Sequence, residues 1–164
     1  MNDQEKNCRH FRPYFRGCVA RDARMARALE EALNEALCAL AANTYRALIC
    51  EPRDRTLYEL FDRMATEQLS HFRLLCELIV ALGGTPAIRV QLRPHDARDV
   101  GEENLRTSCA LEQLLRNCTE EEKRAIDRLQ TLMGRTPDRV VRSLLSGLVS
   151  DREANVRRLC ARMT

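Results

Sequence analysis

The 164-residue chain is predicted to be an all-α, up-down four-helix bundle of two antiparallel helical hairpins joined by a long crossover. Three observations carry this expectation. Apolar residues recur at spacings of three and four through four long stretches, as in helices that each bury one face. Hydrophobic residues make up 45% of the chain and charged residues 31%, with 4% aromatic, six Gly and five Pro, a balance that suits long helices better than sheets. The stretches also repeat in pairs. Leu60, Met64, Gln68, His71, Leu75, Cys76 and Ile79 correspond to Leu144, Leu148, Arg152, Asn155, Leu159, Cys160 and Met163 at one constant offset. Leu29, Leu33, Ala36 and Leu40 correspond to Leu111, Leu115, Cys118 and Glu122 at nearly the same offset, which describes a duplicated hairpin.

The first helix is expected from about Ala23 to Cys50, its inner stripe being Met25, Leu29, Leu33, Ala36, Leu37, Leu40, Thr44, Ala47 and Leu48, with Pro52 closing it. The second runs from about Thr56 to Leu82. Leu57, Leu60, Phe61, Met64, Leu75, Leu78, Ile79 and Leu82 form its inner face, and Gly83-Gly84-Thr85-Pro86 stops it. Residues 83–101 carry Pro86 and Pro94 and no sustained period, so they form the crossover. A third helix is expected from about Glu102 to Met133, through Leu105, Cys109, Leu111, Leu115, Cys118, Ala125, Ile126 and Leu129. Thr119-Glu120-Glu121-Glu122 has the form of a capping box, yet the stripe passes it without a change of phase, so one unbroken helix is predicted. Gly134 to Asp138, with Pro137, turns the chain into a fourth helix lined by Val141, Leu144, Leu148, Leu159 and Met163. The bundle thus occupies residues 23–164, preceded by an extension of residues 1–22.

Several function classes are excluded at this stage. The net charge of +3 is small, and the cations alternate with Asp and Glu along the helices, which is a solvated surface and not a nucleic-acid footprint. No apolar run approaches the roughly 18 residues a membrane span needs, and Met1 to Ala20 holds no continuous apolar stretch like that of a signal peptide. A soluble, cytoplasmic protein without nucleic-acid or membrane partners is expected. Eight Cys in such a chain read as reduced thiols, and Cys38, Cys76, Cys109, Cys118 and Cys160 fall at or beside stripe positions, where they would fill the core. The segment Cys8 to Cys18 concentrates Phe11, Tyr14 and Phe15 and reads as a strap that docks on the bundle or on a partner subunit. Cys8 and Cys18 could alternatively form a redox pair, and with His10 could bind zinc, although the spacing fits no tight metal motif.

Polar or mismatched residues interrupt the stripes at Leu40, at Gln68 with His71, at Glu122, and at Arg152 with Asn155. A resemblance gives these positions meaning. In Leu33-Asn34-Glu35-Ala36-Leu37 leading to Tyr45, in Ala65-Thr66-Glu67-Gln68-Leu69-Ser70-His71 followed by Leu78 and Gly83-Gly84-Thr85-Pro86, and in the two-hairpin layout, residues 25 to 163 resemble the ferritin-like superfamily, in particular its rubrerythrin-like and bacterioferritin-like branches. Members of that superfamily place one Glu on each of two helices and Glu-x-x-His on each of the other two, enclosing a pair of metals. The resemblance puts the first Glu at Leu40, the first Glu-x-x-His at Gln68 and His71, the second Glu at Glu122, and the second Glu-x-x-His at Arg152 and Asn155. Only His71 and Glu122 keep the family residue.

One carboxylate and one imidazole cannot offset the charge of two divalent cations, and Arg152 would set a permanent positive charge beside them. The expectation is therefore no catalytic residue, no metal and no cofactor, with an Arg152–Glu122 pair at the bundle centre and Gln68, His71 and Asn155 taking the remaining hydrogen bonds. An isolated His on an apolar stripe is in any case more often a hydrogen-bonded core residue than a ligand. This implies a non-catalytic ferritin-like protein descended from a di-iron oxidoreductase or an iron-storage ancestor. Two alternatives stay open: an iron-binding oxidoreductase or iron-handling protein using a reduced or shifted site at Glu67, His71 and Glu122, with Glu31 and Glu35 near the inner face of the first helix; and a thiol redox protein acting through Cys8 and Cys18. Since the family associates through helix faces, a homodimer is the expected assembly.

Overall fold

The computed structural model describes residues 19–89 and 108–163, and these form four helices: α1 (Ala23–Cys50), α2 (Arg55–Ala81), α3 (Ser108–Arg135) and α4 (Arg139–Cys160). Three of the starts have a local cause. Asp22, Asp54 and Asp138 are extended residues whose carboxylates accept from the backbone N–H groups two and three residues on, satisfying donors that the first turns of α1, α2 and α4 leave open. At the end of α2, Gly83 adopts φ 87°, and the Gly83 and Gly84 amides donate to the carbonyls of Val80 and Ile79. This closure requires a left-handed residue, which glycine supplies without a Cβ penalty. Gly84 has a separate reason to be glycine, because a Cβ there would lie 2.7 Å from the Cβ of Ala26. The helix α3 is unbroken through the capping-box sequence: the Thr119 hydroxyl donates to the Leu115 carbonyl within the helix.

The helices pack chiefly as the hairpins α1–α2 and α3–α4, and contacts of α1 with α3 and of α2 with α4 close the bundle. All eight stripe residues predicted for α2 are buried. The start of α3 expected near Glu102, most of the crossover, and the Cys8–Cys18 segment fall outside the described residues. Among the described residues, no helix is long and apolar enough to cross a membrane.

Two expectations need correction. On α1, Thr44 is exposed, Leu48 is 59% exposed, and Leu37 and Leu40 are half-buried, while Asn43 and Arg46 are turned inward. The C-terminal half of this helix is apolar on more than one face, so hydrophobicity alone cannot choose between them; a partner for Arg46 on α3 does. The thiols also divide differently. Cys118 is buried, as is Cys50, but Cys76 is only partly covered and Cys38, Cys109 and Cys160 are exposed, because they lie one helical step off the inward positions.

Candidate functional site

The apolar core is in two pieces. One holds Met25 to Ala36 of α1 with Leu75 to Leu82 and residues of Ile126 to Val149; the other holds Ala47 and Cys50 with Leu57 to Met64, Leu114 to Cys118 and Leu159. Between them runs a layer of buried polar side chains: Asn43, Arg46, Gln68, His71, Thr119, Glu122, Arg152 and Asn155. Helical periodicity creates this layer, since each of these residues continues the phase of the apolar positions on either side of it.

The centre of the layer is Arg152. Its Nη1 lies 3.3 Å from each oxygen of Glu122, and its Nη2 donates to Gln68 Oε1 at 3.0 Å. The pair is closed off from water, with side-chain exposures of 6% and 4%. Burial pushes the Glu122 carboxyl above its ordinary range while the Arg152 charge pulls it back down. The contact expected between the third and fourth helices is thus made, and the guanidinium also binds the amide of the second.

Around this centre the other polar groups form separate contacts. His71 Nε2 lies 3.0 Å from Asp151 Oδ2; a carboxylate only accepts, so Nε2 carries the proton. Burial, opposed by the bond to Asp151 and reinforced by the nearby Arg152 charge, holds the ring below its ordinary range, and the imidazole is neutral at pH 7. Its Nδ1 is then a bare lone pair facing no partner among the described residues. Asn155 Oδ1 accepts from Arg158 Nη1 at 2.7 Å, and the same nitrogen donates to Glu67 Oε1 at 2.9 Å. Buried Glu67 Oε2, Gln68 Nε2, Arg152 Nε and Asn155 Nδ2 likewise find no partner among the described residues.

Of the positions singled out in the sequence, Gln68, Glu122 and Arg152 are in direct contact. His71 and Asn155 are buried in the same layer but are held by other residues, and Leu40 is half-buried at its margin. Sequence reasoning missed the α1 contribution. Arg46 is 6% exposed and donates to Asn43 Oδ1 at 3.0 Å and to Glu121 at 3.1 Å and 3.2 Å. The signal available was the step of seven from Ala36 to Asn43 and onward to Ala47 and Cys50, which keeps both polar residues in phase with the core. Glu35, near the inner face, binds Arg128 at 3.0 Å, and Glu31 meets the same guanidinium; partial burial raises the Glu35 carboxyl against the pull of Arg128 and Arg152. Asp151, the partner of His71, is a half-exposed residue that nothing in the stripe pattern marks.

The family model for the ferritin-like domain matches residues 26–162. The chain belongs to the ferritin-like family. Comparison with curated proteins found no match. A pair of divalent cations, which the ferritin-like fold implies, does not fit the donor set of this layer. A guanidinium occupies the midpoint in contact with the one central carboxylate, and no group of three or more His, Cys, Asp or Glu among the described residues is placed to hold an ion. What the layer of this ferritin-like bundle can do chemically is pair charges and orient amides across all four of its helices.

Proposed function

We propose that this is a non-catalytic ferritin-like protein in which a buried Arg–Glu and amide cluster occupies the midpoint that relatives give to two metals. The observation that carries the reading is the Arg152 guanidinium bound to both Glu122 and Gln68 between two apolar half-cores. A divalent cation about 4 Å from a guanidinium is disfavoured by about 8 kcal/mol at an effective dielectric of about 20, before any cost of removing the ion from water. One carboxylate already shared with Arg152 does not offset this. The layer then serves as a structural device: it sets the register of α2, α3 and α4, because sliding any helix by a turn would leave a charge against an apolar half-core.

A second reading, one iron held by Glu67, His71 and Glu122, draws on the bare Nδ1 of His71 and the unpartnered Oε2 of Glu67. The other oxygen of Glu67 is committed to Arg158, and Glu122 to Arg152, which favours the first reading. Elemental analysis separates the two. Protein purified from iron-supplemented cells should carry far less than one iron or manganese per chain; about one per chain, lost on replacing His71 by Leu, would reject the proposal.

A further inference from the structure

The helices α2 and α4 pack on each other more loosely than either packs on its hairpin partner. Between them a surface cleft of about 250 Å³ opens beside the buried polar layer. Leu74 of α2 and Leu144 and Leu148 of α4 give it apolar walls, and the His71–Asp151 pair lines it as well. Gly147 lies on the α4 side, and a Cβ added there would meet nothing within 4 Å. The packing of the chain therefore does not require glycine at this position. Glycine inside a helix weakens it relative to alanine, so a glycine that no neighbour demands, in the wall of a cleft, keeps space for something from outside the chain.

The polar groups of the cleft specify the chemistry of that occupant. Asp151 is the one charged residue among the described residues that line it, since the His71 ring is uncharged. Its Oδ2 is held by the proton on His71 Nε2 at 3.0 Å, which leaves Oδ1 to accept from a further donor. Ser70 donates its hydroxyl proton to the Thr66 carbonyl at 3.3 Å, so its oxygen can only accept from a ligand. Ser143 adds a second hydroxyl. A carboxylate and hydroxyl acceptors beside three leucines complement a cationic donor on a short hydrocarbon body, whereas an anion would meet Asp151 and lone pairs. We propose that the α2–α4 cleft binds a small primary alkylamine in its ammonium form, with its N–H groups directed to Asp151 and the serine hydroxyls and its alkyl chain against Leu74, Leu144 and Leu148. This binding is additional to the structural role proposed for the layer: it uses the Asp151 edge of His71, while the layer is centred on Arg152.

Titration of the full chain with n-hexylammonium chloride at neutral pH, followed by NMR at the Gly147 amide and the His71 ring, tests this. Both signals should shift saturably with one dissociation constant, and hexanoate, of the same length and opposite charge, should leave them in place. Asp151→Asn, which keeps an acceptor for His71, should weaken binding by about tenfold or more. Gly147→Leu, at an exposed position, should fill the cleft and abolish binding while helix content by circular dichroism stays unchanged. Glu153→Gln removes an equal charge from the surface outside the cleft and should leave the affinity as it is. Shifts that do not saturate, equal binding of hexanoate, an affinity untouched by Asp151→Asn or by Gly147→Leu, or a loss from Glu153→Gln as large as that from Asp151→Asn would each overturn the inference.

Discussion

Replacing Arg152 by Met removes the guanidinium but keeps most of the side-chain length, so the packing of the layer changes little while its electrostatics change completely. Glu122 is then a carboxylate with 4% side-chain exposure and no cation within hydrogen-bonding distance, and Gln68 Oε1 loses its donor as well. Stranding one member of a buried pair costs about 3–5 kcal/mol, a large part of the roughly 5–15 kcal/mol that holds a domain of ordinary stability. With a urea dependence of about 2 kcal/mol per M, the unfolding midpoint should fall by about 1.5–2.5 M. The deficit should also depend on pH. The Glu122 carboxyl already sits above its ordinary 4.5, and loss of Arg152 raises it further. A carboxyl raised in the folded state costs stability once it must ionise, so the penalty is absent below the unfolded value and grows as pH rises through the folded one. Arg152→Met should therefore be closer to the native stability at about pH 5 than at about pH 7. Replacing both residues, Arg152→Met with Glu122→Leu, should restore most of the loss, since it removes the stranded charge along with its partner. A single-variant loss below about 1 kcal/mol, or a double variant as unstable as the single one, would show that Arg152 and Glu122 are not a buried, mutually dependent pair.

Three further outcomes are expected. The His71 ring, depressed by burial, should stay neutral at pH values where an exposed imidazole is half protonated, as read from its NMR titration, and its share of stability should be present above about 6.5 and decline as pH falls through the lower folded value. Gly84→Ala should cost about 1–3 kcal/mol through the close approach to Ala26, whereas Gly147→Ala, where a Cβ meets nothing, should stabilise α4 by about 0.5–1 kcal/mol in the same denaturation assay. Peptide mapping after alkylation of the native protein should find Cys109 and Cys160 modified quickly and Cys50 and Cys118 protected, because burial pushes the latter thiols up to about 11 and about 12. Rapid modification of Cys118 in the folded state would contradict its placement.

The unpartnered atoms of the layer bear on how it behaves. Gln68 Nε2, Asn155 Nδ2 and Arg152 Nε are donors without acceptors among the described residues, and His71 Nδ1 and Glu67 Oε2 are acceptors without donors. Under the proposed structural role, a buried polar layer of this kind specifies alignment at some expense in stability.

The sequence by itself determined the four helices, their stops at Pro52, at Gly83 with Gly84 and around Pro137, the whole inner face of α2, and the inward placement of Gln68, His71, Glu122, Arg152 and Asn155. These follow from periodicity and capping, which are properties of one helix at a time. Tertiary structure decided what periodicity leaves open. It turned Asn43 and Arg46 inward and left Thr44 and Leu48 outside, because Glu121 of α3 lies level with Arg46. It gave His71 to Asp151 and Glu67 to Arg158 and kept them apart from a shared site. Among the described residues, a charged side chain is fully buried only where another helix presents a countercharge at the same height, as for Arg46, Glu122 and Arg152, and that height is set by how the two hairpins are docked.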